Sequence, residues 1–156
     1  MFIETGTFRG DTINGLKDTF SQLYSIELDE SLYHDAKKRL EKEKNVIILH
    51  GDSGKILHKI LDPIDEHIFF WLDGHYDGKG SNTAKGELIT PIINELKTIY
   101  DHSNKTNKKH IILIDDAKCF DGKNDYPRID DLYKLIEKYF PAHKIINQHD
   151  IIQIVY

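Results

Sequence analysis

Along this chain the apolar residues switch repeatedly between short continuous runs and a 3.6-residue stripe, and no other feature restricts the fold as much. That alternation is the pattern of parallel strands joined by helical crossovers. The runs predict strands at Phe2 and Ile3, then at 23–28, 46–49, 67–72 and 111–114. Two more, at about 143–147 and 151–155, are so close that they must form an antiparallel hairpin around His149 and Asp150. Between the strands run amphipathic helices. One carries Ile13, Leu16 and Phe20; the next is capped by Asp29 and carries Leu32, Ala36 and Leu40; a third, carrying Ile56, Leu57, Ile60 and Leu61, breaks at Asp62-Pro63. The longest has Leu88, Ile89, Ile92, Ile93, Leu96 and Ile99 on its face, and the last has Ile129, Leu132, Tyr133, Ile136 and Tyr139. The expected architecture is an α/β/α sandwich in three layers on a mostly parallel, seven-stranded sheet. The polar segment from Asn104 to Lys109 reads as a surface loop.

A chain of 156 residues can bury about 70% of its unfolded surface, so one domain over residues 1–156 needs no disulfide or structural metal. The lone Cys119 permits no internal bridge and fits a reducing cytoplasm. No apolar run approaches the roughly 20 residues that span a bilayer, and no basic-then-apolar leader opens the chain. A formal charge of −5, with arginine only at Arg9, Arg39 and Arg128, argues against a general nucleic-acid binder. The expectation is a soluble cytoplasmic protein with a small-molecule partner and no nucleic-acid or membrane partner.

In an open parallel sheet, ligands bind beyond the carboxyl ends of the strands. Here five consecutive strands end in acids: Glu4, Glu27 with Asp29, Asp52, Asp73 followed by His75, and Asp115 with Asp116. One such acid is ordinary turn chemistry, but five form a common acidic rim. The loop Glu4-Thr5-Gly6-Thr7-Phe8-Arg9-Gly10 lacks both the GxGxxG spacing of a dinucleotide site and the GKS/T of a phosphate loop. This spacing speaks against a nicotinamide-linked oxidoreductase. Its glycines allow close approach of the backbone to a ligand. Glu27 suits bidentate hydrogen bonding to a ribose diol, and Asp52 can accept from an exocyclic amine. Together they describe a nucleoside without phosphate.

That loop resembles the E/DxGxxxG motif of class I S-adenosylmethionine-dependent methyltransferases, a Rossmann-like family, and Tyr24-Ser25-Ile26-Glu27 resembles their second motif. The resemblance implies that Glu4, Thr5, Gly6, Thr7 and Gly10 frame the methionine part of the cofactor, Glu27 its ribose, and Asp52 with Ser53 its adenine. Trp71-Leu72-Asp73-Gly74-His75 and Leu113-Ile114-Asp115-Asp116 are similar to the LDGD and IDD segments of metal-dependent sugar O-methyltransferases of the macrocin and novobiocin type. This implies magnesium on Asp73, Asp115 and Asp116, with Asp73 also at the cofactor and in catalysis. Carboxylates are the hard oxygen ligands such an ion takes.

His75 stands where that family has its second acid, the proposed general base. A histidine can take a hydroxyl proton at neutral pH, so the role survives chemically; a fourth metal ligand or a plain loop residue are the alternatives. Tyr76, Lys85 and Glu87 follow in the loop where an acceptor would pass, and Arg9 is a candidate for a cofactor carboxylate or an acidic substrate. His34, His50, His58 and His67 lack mutual ligand spacing and read as structural. Only Met1 precedes the first strand, whereas the resembling family has helices there; either the pocket is shallow and completed by another subunit, as in a homodimer, or the protein is a minimal or truncated form. The function these features imply is methylation of a small hydroxylated acceptor. The alternative is a cofactor-binding module with no transfer of its own.

Overall fold

The computed structural model describes residues 1–76 and 83–156. The turn-rich stretch Asp77-Gly78-Lys79-Gly80 lies outside the described residues. In chain order the elements are β1 (Phe2–Thr5), α1 (Asp11–Leu16), β2 (Leu23–Glu27), α2 (Glu30–Arg39), β3 (Val46–His50), α3 (Ser53–Leu61), β4 (Phe69–Leu72), α4 (Ile92–Thr106), β5 (Ile111–Ile114), α5 (Ile129–Tyr139), β6 (Lys144–Gln148) and β7 (Ile151–Val155).

They build one seven-stranded sheet in the order β3-β2-β1-β4-β5-β7-β6, parallel except at β7, which runs antiparallel to both its neighbours. The order reverses between β1 and β4, which opens the switch-point crevice of such sheets there. Alternate side chains divide the core in two. One face of the sheet, with Ile3, Phe70, Leu72, Ile112, Ile114, Ile152 and Ile154, packs on Leu57, Ile60 and Leu61 of α3, Leu96 and Ile99 of α4, and Leu132 and Ile136 of α5. The other packs Phe2, Leu23 and Ile48 on Ile13 of α1 and Ala36 and Leu40 of α2, with Phe69 and Trp71 against them. Further along that second face, Ile111, Leu113 and Val155 are only half-buried.

The Rossmann-like expectation holds, and the boundary shifts have local causes. The helix expected from Leu88 begins at Ile92, because Pro91 keeps Thr90 out of the helical region and leaves Leu88 exposed. At its other end α4 runs on to Thr106, so Asn104 is helical rather than looped; Thr106 Oγ1 bonds the His102 carbonyl, and Asn107 closes the helix in the left-handed conformation. Strand β4 starts at Phe69 rather than at His67, since the Ile68 N–H donates to the ring of His110 instead of a main-chain partner. Strand β1 is longer than its two apolar residues and includes Glu4 and Thr5. His149 and Asp150 both have positive φ, 56° and 64°, the turn that the twist of a two-residue hairpin favours. Among the described residues, no helix is long and apolar enough to cross a membrane.

Candidate active site

At the switch point the backbone itself makes the first feature. Gly6 follows β1 with φ 83°, and its amide donates to the Ile26 carbonyl of β2 at 2.9 Å. A Cβ there would lie 2.2 Å from the Asp73 carbonyl oxygen, so no other residue lets the first loop and the β4 turn touch. Gly10, with φ 74°, opens α1.

Around this contact lie the strand-end acids. Glu27 is buried at the end of β2, where its carboxylate accepts from the Phe8 N–H at 2.7 Å and the Asp29 N–H at 2.8 Å. Burial raises its pKa, against the lowering effect of those amides. Each oxygen keeps a further lone pair for a ligand hydroxyl. Glu27, Gly6, Phe8, Asp73, His75, Thr83 and Ala84 line one cavity. On the other side of His75 a second cavity is lined by Leu28, Asp52, Ser53, Gly74 and Tyr76 among others. Asp52 caps α3 by accepting from the Gly54 N–H at 3.0 Å, and its second oxygen lies 3.9 Å from Lys55 Nζ. A third recess, between Asp73, His75, Asp115, Phe120 and Tyr126, opens from the same ring.

Two buried carboxyls brace the turns, one on each face of the sheet, and the second of them, Glu95, also lines the third recess. Glu4 is 1% exposed and accepts from Ser25 Oγ at 2.6 Å; Thr7 Oγ1 lies 2.6 Å from the same hydroxyl and donates to it. Burial pushes the Glu4 carboxyl up to about 8, with Asp73 and Glu27 adding to the rise. Glu95 of α4 accepts from Ser53 Oγ at 2.6 Å, and burial pushes it up to about 7. Glu4 thus stands behind the glycine turn rather than among the residues lining the cavities, and the Ser53 hydroxyl is committed to Glu95.

His75 is the hub. Its Nδ1 lies 3.2 Å from Asp73 Oδ1 and its Nε2 lies 3.2 Å from Asp116 Oδ2. Asp116 sits in the left-handed conformation with φ 53°, its N–H donating to Asp115 Oδ1 at 2.8 Å, and it also meets Lys118 Nζ at 3.1 Å. Burial raises the Asp115 pKa, and neighbouring Asp73 and Asp116 raise it further. The three aspartates expected to hold magnesium therefore do gather at one rim. Even so, the imidazole stands between two of them, and among the described residues no group of three or more His, Cys, Asp and Glu is set to hold a metal ion. Magnesium takes near-octahedral oxygen geometry, and here the imidazole occupies the place between Asp73 and Asp116.

The remaining candidates have local roles. The Arg9 guanidinium lies over the Phe8 ring, 5.3 Å from its centroid. Glu87 pairs with Lys55 at 2.6 Å. His50 bonds the Leu28 carbonyl and stacks on Tyr33, and His67 bonds the Lys109 carbonyl. Burial raises the Cys119 thiol, which fits an unreactive side chain. Sequence reasoning missed Glu95, Ser25 and Tyr126. For Glu95 a signal existed: it falls on the apolar stripe of Ile92, Leu96 and Ile99, where a charge has no ordinary place.

With this geometry in hand, the relatives are informative. Among solved structures the chain is similar to the S-adenosylhomocysteine-bound methyltransferase PaMTH1 of Podospora anserina, with TM-score 0.66 and 16% identity over 99% of this chain and 70% of that one. It is also similar to an O-methyltransferase of Bacillus cereus in complex with S-adenosylhomocysteine (0.63, 14%, 99% and 73%) and to a fibrillarin pre-rRNA processing protein of Methanococcus jannaschii (0.57, 17%, 98% and 64%). No family model and no curated sequence matches the chain. The fold is that of the class I S-adenosylmethionine-dependent methyltransferases.

Proposed function

We propose that this protein is an S-adenosylmethionine-dependent methyltransferase acting on an oxygen of a small hydroxylated molecule. The observation that carries the reading is the pair of cavities meeting at His75, with Glu27 in one, Asp52 in the other and Gly6 beneath, in a fold shared with methyltransferases that bind S-adenosylhomocysteine. The residues fit the cofactor. Gly6 leaves room at the point where any Cβ would collide, Glu27 offers acceptor lone pairs to two ribose hydroxyls, and Asp52 offers one to the adenine amine. Bound S-adenosylmethionine supplies a methyl group made electrophilic by the sulfonium.

The protein's own contribution is position and proton management. His75 faces the recess lined by Asp115, Phe120 and Tyr126 and takes the acceptor's hydroxyl proton. The acceptor oxygen takes the place of Asp116 Oδ2 beside His75 Nε2, which receives the proton, and Asp73, 3.2 Å from Nδ1, stabilises the resulting imidazolium. The metal assistance implied by the resemblance enters no step here, because the described aspartates do not fit it as they stand.

Calorimetric titration with S-adenosylhomocysteine, followed by incubation with methyl-labelled S-adenosylmethionine and a panel of sugars and catechols, tests the reading. Binding plus labelled product is expected. No binding at millimolar cofactor would sink it, and binding without transfer to any acceptor would favour a cofactor-binding module instead.

A further inference from the structure

The buried carboxyl of Glu95 takes no part in the proton transfer above, yet three parts of the site meet at it. Ser53 Oγ donates to Glu95 Oε1 at 2.6 Å, and both side chains are buried. A Cβ placed on Gly74 would lie 3.1 Å from Ser53 Oγ, 3.2 Å from Thr5 Oγ1 and 3.3 Å from Glu95 Oε1, so this cluster packs directly against the turn that joins Asp73 to His75. Ser53 in turn follows Asp52, which lines the second cavity. Thr5 ends β1, and its carbonyl accepts from the Asp73 N–H at 3.0 Å. A leucine in place of Glu95 would complete the apolar stripe of α4 without burying a carboxyl, whose desolvation is unfavourable. The acid therefore needs a reason to be there.

We propose that Glu95 is a positioning residue, which ties the Asp52–Ser53 turn to the Asp73–Gly74–His75 turn and so fixes the two cavities relative to each other. The inference rests on the methyltransferase reading of those cavities. It assigns a role to a residue on α4, which no strand-end motif contains. Through Ser53 the carboxyl sets the adenine side, and through its packing on Gly74 it sets the turn that carries the proposed base.

Calorimetry with S-adenosylhomocysteine on folded protein, checked by circular dichroism, decides it. Glu95→Ala is expected to weaken binding at least tenfold. Glu95→Gln, whose amide oxygen still accepts from Ser53, is expected to stay within threefold of the parent protein. Ser53→Ala is expected to reproduce the loss, and the double variant to be no weaker than either single one. A merely structural Glu95 would lower the melting temperature and leave the affinity of the folded protein unchanged; E95A binding as the parent does would therefore overturn the role. If E95A does not fold, an unchanged affinity in S53A overturns it equally. Failure of the parent protein to bind would instead sink the methyltransferase reading, so the two failures are distinct.

Discussion

Helix α4 buries a carboxyl at one end and an imidazole at the other, about 10 Å apart along its axis, and the two ends of the sheet treat them differently. Below the amino ends of the strands, the Ile68 N–H donates to His110 Nδ1 at 3.2 Å. That leaves His110 Nε2 to donate to His102 Nδ1 at 3.1 Å, and His102 Nε2 to donate to the Ile64 carbonyl at 2.9 Å. Every nitrogen in this relay is used and every proton has one place. Burial, followed by the neighbouring His102, His67 and His143, pushes His110 down to about 3. Above the carboxyl ends, by contrast, Glu4, Glu27, Glu95 and Asp115 all have raised pKa values, with burial the largest cause in each. The His110–His102 relay satisfies itself. The upper end instead sets acids beside open space, with Glu27, Glu95 and Asp115 among the cavity-lining residues and Glu4 buried behind the glycine turn.

That contrast can be broken in several ways. The largest effect is expected from His75→Ala, which should lower turnover at least a hundredfold while changing S-adenosylhomocysteine affinity less than threefold, measured by labelled-methyl transfer and calorimetry. Next is His110→Leu. It strands the Ile68 N–H and His102 Nδ1 and should destabilise by about 2 kcal/mol in urea unfolding, with turnover of the folded protein unchanged. Replacing His102 and His110 together by leucine should recover part of that loss, since both partners then leave. Glu27→Ala should weaken S-adenosylhomocysteine about tenfold, or roughly 1.4 kcal/mol. Equal effects of H110L and H75A on turnover would erase the distinction between the ends.

The smallest effects should appear in the pH dependence of the melting temperature. His110 is held neutral, its folded value of about 3 lying below the ordinary 6.5; its contribution is complete above pH 6.5 and is lost as pH falls toward 3. Glu4 runs the other way, its folded value of about 8 lying above the ordinary 4.5. Its contribution is complete below pH 4.5 and is lost as pH rises through 8. Glu4→Gln should flatten the alkaline limb by a few degrees and leave the acid limb intact.

How much of this is legible in the sequence follows the same division. Strands, helices and the hairpin are written in local apolar periodicity, and Glu27 and Asp52 can be found because the end of a strand is a place that sequence can mark. Glu95 is harder to see, since its partner Ser53 lies 42 residues away and only the fold brings them together. The orientation of His75 is likewise a side-chain matter: Asp115 and Asp116 suggest a metal, and the imidazole between Asp73 and Asp116 is visible only in three dimensions. The late start of β4 needs His110 to be known as a neighbour of Ile68, which no window of local sequence reveals.

The place of β7 in the sheet has a consequence for the nascent chain. Of the seven strands it is the last to leave the ribosome, yet it lies inside, between β5 and β6, and its Ile152 and Ile154 belong to the larger core. Until it emerges, β5 has a bare edge of unpaired amides and carbonyls beside an open hydrophobic layer. During synthesis, then, the half of the sheet from β3 to β4 can assemble early. The wall that carries Asp115 and Asp116 waits for the final hairpin.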